Sequence, residues 1–107
     1  MKRMEQLMEL IEKFPDDLFS RHALAMEYIK MGMDVKALEL MQGLLEQSPN
    51  HVGTYYHLGK LHERMGELQQ ALRVYEDGEV MARSLNATHE LRELTAAKEN
   101  VLDQMDE

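Results

Sequence analysis

The chain resembles itself at an interval of 34 residues, and this interval constrains the possible folds more than any other feature of the sequence. Pro15 and Pro49 stand at that separation, and Lys30-Met31-Gly32 corresponds to Arg64-Met65-Gly66. The remaining correspondences are Leu24 with Leu58 and Ala37-Leu38 with Ala71-Leu72. An interval of about 20–50 residues is typical of one supersecondary unit copied in tandem, because each copy is too small to bury its own apolar face. The sequence therefore predicts similar units that pack on one another, an architecture that offers a binding surface rather than a reaction pocket.

Composition narrows the classes of function. The 107 residues fit one domain, and the net charge of -8 arises from 20 acidic and 12 basic side chains. Sequence-independent binding to nucleic acid depends on basic residues that release counterions, and anionic membrane surfaces attract the same residues. We therefore expect neither nucleic acid nor membrane among the partners. Cysteine is absent, which excludes disulfides and thiolate metal sites.

The N-terminal region fits neither an export signal nor a membrane span. Lys2 and Arg3 are followed by Glu5, Glu9 and Glu12, which interrupt the apolar core that a signal peptide needs. No apolar run approaches the roughly 18 residues of a membrane-spanning helix. We therefore expect a cytoplasmic protein.

Helical periodicity dominates the chain, and no alternation typical of strands is sustained. The predicted helices cover residues 2–14, 18–31, 35–47, 52–65, 68–84 and 89–105. Connections this short imply that consecutive helices run antiparallel. The sequence therefore predicts an all-α protein of about six helices.

Individual residues mark the ends of these helices. Pro15 ends the first helix, and Gly32 and Gly66 end the second and fourth because glycine readily adopts the left-handed backbone. Gly78 falls inside the fifth helix, where a close helix crossing would explain its presence. The candidate N-terminal caps are Asp16 and Asp17 for the second helix and Asp34 for the third.

The two copies resemble the tetratricopeptide repeat. A helix pair of that family carries an aromatic residue, Leu-Gly and an aromatic, then a glycine turn, alanine, an aromatic, a small residue and proline. The matches within 52–85 are Tyr55, Leu58, Gly59, Gly66, Ala71, Tyr75 and Gly78, and the departures are His62 and Arg83. The matches within 18–51 are Leu24, Ala25, Tyr28, Gly32, Ala37 and Pro49, and the departures are Arg21, Met41 and Leu44.

The resemblance implies a tetratricopeptide-like solenoid of helical hairpins, a short right-handed superhelix with a concave face. It divides the chain into an N-terminal half-repeat helix (1–17), repeats 18–51 and 52–85, and a C-terminal capping helix (86–107). Small residues should let the helices approach closely while large residues fill the gaps around them. The small residues are Ala25, Gly59, Ala37 and Ala71, and the large ones are Leu24, Tyr28, Leu58 and Tyr75.

No pattern in the sequence is typical of an active site. His57 and His62 lie five residues apart, which places them on different faces of a helix. His89 and Glu93 share a face, but two ligands do not make a metal site. His62 falls at a core-facing position, where a packed histidine bonded to a neighbour is expected. We therefore expect neither a metal nor a cofactor, and we do not expect an enzyme. A metal-dependent or hydrolytic enzyme is kept as the third alternative, behind the two binding functions given below.

The first helix of each pair should line the concave groove, as the resemblance implies. Apolar anchors flanked by cations suit an extended peptide whose carboxylates pair with Lys or Arg. The residues predicted to face the groove are Phe19, His22, Met26 and Lys30 in the first repeat, Tyr56, Lys60, Glu63 and Arg64 in the second, and His89 and Arg92 in the last helix.

Two interpretations of the groove cations stay open. One is the recognition of a peptide carboxylate. The other is that Lys30 and Arg64 each end a helix, where the backbone dipole alone favours a cation.

The family also includes a group that grips a terminal carboxylate with a clamp of Lys, Asn and Arg. This chain has His22 and Met26 where the first repeat would offer Lys and Asn, and His57 where the second would offer Asn. We therefore expect that clamp to be absent.

The favoured function is a protein–protein interaction module that binds a partner peptide or helix in the groove. Rigid helix pairs would hold the groove in shape and so lower the entropic cost of docking. The alternative is a structural self-assembly unit, a homodimer formed through the N-terminal helix if that helix exposes Met1, Met4 and Met8.

Overall fold

The computed structural model describes residues 2–107, which contain six α-helices and no strand. The helices are α1 (Lys2–Lys13), α2 (Leu18–Lys30), α3 (Asp34–Gln47), α4 (Val52–Arg64), α5 (Leu68–Ser84) and α6 (Thr88–Met105). The all-α prediction is confirmed, and each predicted helix end lies within one residue of the observed one. None of the helices in the described part of the chain is long and apolar enough to cross a bilayer.

The chain forms two compact units, Met1–Gln47 and Ser48–Glu107. In the first unit α2 packs against both α1 and α3. In the second unit α5 packs against α4 and α6, and α4 also contacts α6. The division falls in the loop between α3 and α4, which also holds the predicted boundary between the repeats.

The two copies end their first helices in the same way. Gly32 has φ +73° and Gly66 has φ +77°, so both adopt the left-handed conformation that the sequence predicts. In each copy the backbone N–H after the glycine donates to a carbonyl one turn back, which satisfies an orphan acceptor of the helix end. These bonds run from Met33 to Tyr28 and from Glu67 to His62, each at 2.9 Å.

The end of α5 repeats this geometry without a glycine. Asn86 has φ +55°, and the N–H of Ala87 donates to the carbonyl of Ala82 at 2.8 Å. Asparagine tolerates the left-handed region better than other residues with a Cβ, because its short side chain can bond locally. Asn86-Ala87-Thr88 is therefore a helix-ending turn, and α6 begins at Thr88 itself.

The alanines that the repeat aligns are buried in both copies. Ala37 and Ala71 have no exposed surface, and both begin the interior of the second helix of their hairpins. The predicted core residues Leu24, Tyr28, Leu58, Tyr75, Ala25 and Gly59 are buried as well. Small and large residues thus alternate in the core of each unit as the sequence predicts.

Gly59 and Gly78 mark the closest approaches in the second unit. A Cβ on Gly59 would overlap the ring of Tyr75, with Cδ1 at 2.6 Å. A Cβ on Gly78 would lie 2.7 Å from Cβ of Tyr55 and 3.0 Å from Cδ1 of Leu94. The predicted close crossing at Gly78 is confirmed, because only glycine fits between α4 and α6 at that point.

Aspartates start two helices of the first unit in different ways. Asp17 caps α2, since its carboxylate accepts from the Phe19 N–H at 3.1 Å and from the Ser20 hydroxyl at 2.7 Å. Asp34 was expected just before α3, but the structure places it in the first turn as residue one of the helix. The helix dipole favours a carboxylate at either place, which is why the pattern does not fix the start.

Candidate functional site

Helices α4 and α6 enclose an open pocket on one side of the second unit. Its volume is about 280 Å³. Spacings of three and four residues place each helix's contribution on a single face. The residues that line this α4–α6 pocket are Tyr56 and Lys60 of α4 and Glu93, Ala96, Ala97 and Asn100 of α6.

The α4 wall of the pocket combines an aromatic ring with a cation. Lys60 Nζ lies 5.5 Å from the centroid of the Tyr56 ring, within the range of a cation–π contact. The same ammonium group lies 3.6 Å from Oε2 of Glu63. The ring of His57 meets Tyr56 edge-on, with centroids 5.6 Å apart. The positive charge of Lys60 is therefore balanced by groups of its own helix.

Glu63 joins all three helices of the second unit. Its carboxylate accepts a hydrogen bond from the hydroxyl of Tyr75 on α5 and another from Nε2 of Gln104 on α6, the latter at 3.3 Å. Burial and the Glu63 carboxylate together raise the pKa of Tyr75 well above its usual value, because both disfavour the phenolate. Glu63 thus stabilises the packing beneath the pocket and neutralises Lys60.

The α6 wall carries a partly exposed carboxylate. Oε1 of Glu93 lies 3.4 Å from Nε2 of His89, a histidine that is charged only when protonated. Burial lowers the pKa of His57 on α4, and the nearby charge of Glu93 only partly opposes this. Glu93 therefore lies near the His57 imidazole, whose burial disfavours the protonated form.

The floor of the pocket is built from small side chains. Ala97 is buried and Ala96 is exposed, so α6 presents little more than its backbone between Glu93 and Asn100. The Asn100 side chain is exposed at the pocket edge, where its amide can both donate and accept. This part of the pocket can therefore accept an apolar side chain of a bound segment on the alanines and can hydrogen-bond the backbone of that segment at the edge.

A buried ion pair holds α6 against α5 behind this floor. The carboxylate of Glu79 is buried, with Lys98 Nζ at 2.9 Å from Oε1 and the Thr95 hydroxyl donating to Oε2 at 2.7 Å. Burial alone would raise the pKa of Glu79, but the bonds from Lys98 and Thr95 outweigh it and lower the pKa. The ion pair links α5 to the face of α6 that lies away from the pocket, and so helps to hold Glu93 and Asn100 towards α4.

The structure places the groove residues predicted for the second unit in three situations. Tyr56 and Lys60 line the α4–α6 pocket, and Glu63 lies beside it. Arg64 and Arg92 are exposed and line no part of the pocket. His89 contributes only through its contact with Glu93.

Four lining residues were not predicted, all of them on α6: Glu93, Ala96, Ala97 and Asn100. Their spacing of three and four residues was visible in the sequence. The family pattern is weakest in the capping helix α6, however, and it does not predict which face of α6 lies towards α4. Glu79 on α5 contacts Thr95 and Lys98 of α6, and no local pattern in the sequence of α6 indicates this contact.

The groove residues predicted for the first unit lie outside the cavity that this unit shows between α2 and α3. Phe19 is 74% exposed, and His22 and Met26 are half-buried. Lys30 is exposed, with Nζ at 3.7 Å from the Glu27 carboxylate. The first unit instead has an open cavity of about 400 Å³ between α2 and α3, lined by Leu24, Tyr28, Lys36, Glu39 and Leu40.

The histidines do not gather into a metal site within residues 2–107. No group of three or more His, Asp or Glu side chains in that range is arranged to hold an ion. His62 is buried, with Nδ1 at 3.0 Å from Oε1 of Glu67, which confirms the prediction of a packed, bonded histidine.

The sequence and the fold are similar to those of known repeat proteins. Residues 54–77 match the family profile described as tetratricopeptide repeat. A tetratricopeptide repeat domain protein from Salinibacter ruber, solved by NMR in solution, is 42% identical with a TM-score of 0.78, and the match covers 81% of this chain and 88% of that one. No curated protein matches the sequence.

Two more distant structures share the fold alone. The TPR2B domain of yeast Sti1 in a complex with pHsp70 is 19% identical with a TM-score of 0.87, and the match covers 94% of this chain and 81% of that one. PcrH in complex with the chaperone-binding region of PopD is 16% identical with a TM-score of 0.88, covering 95% and 77%.

The helical hairpins, the shared helix ends and the identity over most of the Salinibacter ruber domain define the class of this protein. The chain belongs to the tetratricopeptide repeat family. Domains of this family are protein-interaction modules, and the family is one of scaffolds rather than enzymes.

Proposed function

We propose that this protein binds a segment of a partner protein in the α4–α6 pocket. The observation that carries the proposal is the pocket itself: an open cavity of about 280 Å³ with an aromatic wall, a floor of alanines and polar groups at its rim. An apolar or aromatic anchor in a preformed site with polar edges is the usual form of a peptide subsite. Membership of a family of interaction modules supports the same reading.

The pocket is held in shape before any partner arrives. Glu63 connects α4, α5 and α6, and the Glu79–Lys98 pair holds α6 against α5. A partner that docks on this surface orders few side chains of the protein, so less of the interaction free energy is lost to conformational entropy. A rigid pocket therefore favours binding of a short segment.

Filling the pocket from its exposed floor tests this proposal. Ala96→Phe adds a ring at an exposed position, where the helix tolerates it, and occupies the space between Tyr56 and Asn100. Immobilised protein should capture its partner from a lysate of the source cells, and Ala96→Phe should lose that partner by at least about tenfold in quantitative mass spectrometry.

Gln70→Phe is the matched control, because it adds the same ring at an exposed position of α5 away from the pocket. Its capture should equal that of the unchanged chain. Equal capture by Ala96→Phe would exclude the α4–α6 pocket as the docking surface.

A second candidate function, self-assembly, is favoured by exposed apolar side chains in α1 and directly after it. Met8, Leu10 and Phe14 are between 41% and 58% exposed, and a cavity of about 310 Å³ on this helix is lined by Arg3, Gln6, Leu7, Glu9, Leu10 and Lys13. Exposed apolar side chains on one helix suit pairing with the same helix of a second copy. Of the three methionines expected there, Met4 is half-buried, Met8 is exposed, and Met1 lies outside the described residues.

Light scattering during size-exclusion chromatography tests self-assembly. A homodimer through α1 should give twice the chain mass at high concentration, and Leu10→Ser should restore the monomer mass. A monomer at all concentrations would remove this candidate and leave the pocket proposal untouched.

A further inference from the structure

We propose that the α4–α6 pocket selects a positively charged partner: an extended segment that places an aliphatic side chain on Ala96 and Ala97 and a neighbouring Lys or Arg against Glu93. This inference rests on the proposed function and adds the chemistry of the partner. It reverses the expectation from sequence, in which the cations of the groove suited an acidic peptide.

The cations near the pocket are already engaged within the protein. Lys60 lies against the Glu63 carboxylate and the Tyr56 ring. Lys98, on the far side of α6, is bonded to buried Glu79. Drawing either ammonium group towards a partner carboxylate would leave a largely buried glutamate with one partner fewer, which costs more than a surface ion pair returns.

Glu93 is the charge that the pocket offers to a partner. Its side chain is 45% exposed, and a carboxylate has room for about four hydrogen bonds. The groups that face it are His89 on its own helix and His57 on α4, with Lys60 at the opposite wall held by Glu63. Both of these histidine neighbours are imidazoles rather than Lys or Arg side chains, which carry a permanent charge. A guanidinium or ammonium group from a partner therefore gains a charge-assisted bond at little desolvation cost.

The wider field of the second unit has the same sign. Residues 48–107 contain eleven acidic and six basic side chains. A surplus of negative charge attracts a basic segment, raises its rate of association and repels an acidic one. Local and overall electrostatics thus favour the same partner.

The size and lining of the pocket define the anchor. Its volume of about 280 Å³ is large enough for an aliphatic side chain, which would contact Ala96, Ala97 and the Tyr56 ring. Asn100 at the edge can bond the N–H and C=O of an extended backbone, as an amide side chain offers both functions. The pocket therefore fits a leucine or methionine flanked by basic residues.

Synthetic peptides test this inference directly on the full chain. Four nine-residue peptides of glycine and serine would differ only at the centre: Leu flanked by two Lys, by two Ser or by two Glu, and Ser flanked by two Lys. Titration followed by backbone NMR should shift the amides of Ala96, Ala97 and Asn100 with the Lys-flanked Leu peptide. Its dissociation constant should be at least about fivefold below that of the Ser-flanked one, and the Glu-flanked peptide should bind weakest.

Two variants of α6 with equal change of charge separate local recognition from general attraction. Glu93→Gln should reduce affinity for the Lys-flanked Leu peptide about threefold to fivefold. Glu99→Gln, exposed on the same helix but outside the pocket lining, should leave the affinity within about twofold.

The outcomes distinguish the two proposals. If the Glu-flanked peptide binds the pocket as tightly as the Lys-flanked one, the charge inference is wrong and the pocket proposal stands. If both variants weaken binding equally, or the Lys-flanked Ser peptide binds as well as the Leu one, recognition is general electrostatics and the inference is also wrong. If no peptide shifts any pocket amide, both proposals fail.

Discussion

Gly59 is the residue on which the packing of α4 against α5 depends most directly. The ring of Tyr75 occupies the space that a side chain at position 59 would fill. The family pattern predicts a small residue there, so the identity of Gly59 is foreseeable from sequence. The covering atom is not foreseeable from local pattern, because Tyr75 comes from another helix and reaches Gly59 only in the folded unit.

Replacing Gly59 with alanine should destabilise the protein by about 1–3 kcal/mol, since the new methyl group forces the buried Tyr75 ring to move. Gly43→Ala is the matched control, because no atom lies within 4 Å of a Cβ at position 43. That control should stabilise α3 by roughly 0.5–1 kcal/mol through helix propensity. Urea unfolding of both variants measures the difference, and equal effects would contradict the close approach.

Tyr75 should make the protein sensitive to alkaline pH. The pKa of Tyr75 is higher in the folded than in the unfolded state. Its contribution to the free energy of unfolding is therefore present below about pH 10 and is lost as pH rises above that value. Tyr75→Phe removes the bond to Glu63 and should cost about 1–2 kcal/mol at neutral pH.

The alkaline part of the stability curve isolates this residue. Urea unfolding measures the difference in free energy of unfolding between the unchanged chain and Tyr75→Phe. This difference should become smaller above about pH 10, because phenylalanine has no proton to lose. Tyr55 leaves a residual dependence in both proteins, as burial raises its pKa too. A difference that stays constant with pH would show that Tyr75 has an ordinary pKa in the folded state.

Among the helices, the contact of α5 with α6 is the one that sequence patterns describe least well. The ends and lengths of the helices follow from apolar spacing and from proline, glycine and, after α5, asparagine, which act within a few residues. Glu79 lies in α5 close to charged residues that are typical of a solvent-exposed face, yet Glu79 itself is buried. Its burial depends on Lys98 and Thr95, which are 16 or more residues away on α6. The rotation of α6, and therefore the lining of the pocket, could not be read from α6 alone.

Lys98→Met should destabilise the protein by roughly 1–3 kcal/mol at pH 7, because buried Glu79 then keeps only Thr95 and the more distant Arg83. Arg92→Met removes an exposed cation from the same helix and should change stability by less than about 0.5 kcal/mol. Thermal or urea unfolding of the two variants makes the comparison.

Acid should reduce the effect of Lys98→Met. The lowered pKa of Glu79 means that its stabilising contribution is present above its unfolded value of 4.5 and is lost as pH falls through the lower folded value. The variant, in which the buried Glu79 carboxylate has lost its Lys98 partner, is stabilised when that carboxylate is protonated. A difference between the two proteins that persists unchanged at about pH 3 would contradict the ion-pair account.

At the scale of the whole molecule, the 34-residue repeat predicts the helical hairpins better than it predicts the residues of the α4–α6 pocket. Gly32 and Gly66 share one backbone conformation, and Ala37 and Ala71 are equally buried, so the 34-residue interval does report two similar hairpins. The predicted groove residues came from the repeat register, which describes α2 and α4. Four of the six pocket residues lie on α6, where no third copy of the pattern exists.

The second unit should fold when separated from the rest of the chain. Residues 48–107 hold their own buried residues, including Tyr55, Tyr75 and Leu94, and the Glu63 and Glu79 networks lie within them. A fragment of 60 residues is near the lower size limit for independent folding, so we expect cooperative unfolding at lower temperature than for the full chain. Circular dichroism tests this, and a fragment without helical signal would contradict it.

The α4–α6 pocket as the docking surface is the central claim, and site-specific photo-cross-linking tests it most directly. A benzophenone amino acid at position 96, in cells of the source organism, should form a cross-link to one contiguous partner segment that contains an aliphatic residue beside Lys or Arg. The same group at position 70 on α5 should give no cross-link to that segment. Equal yields from the two positions, or a cross-linked segment that is acidic throughout, would contradict the account.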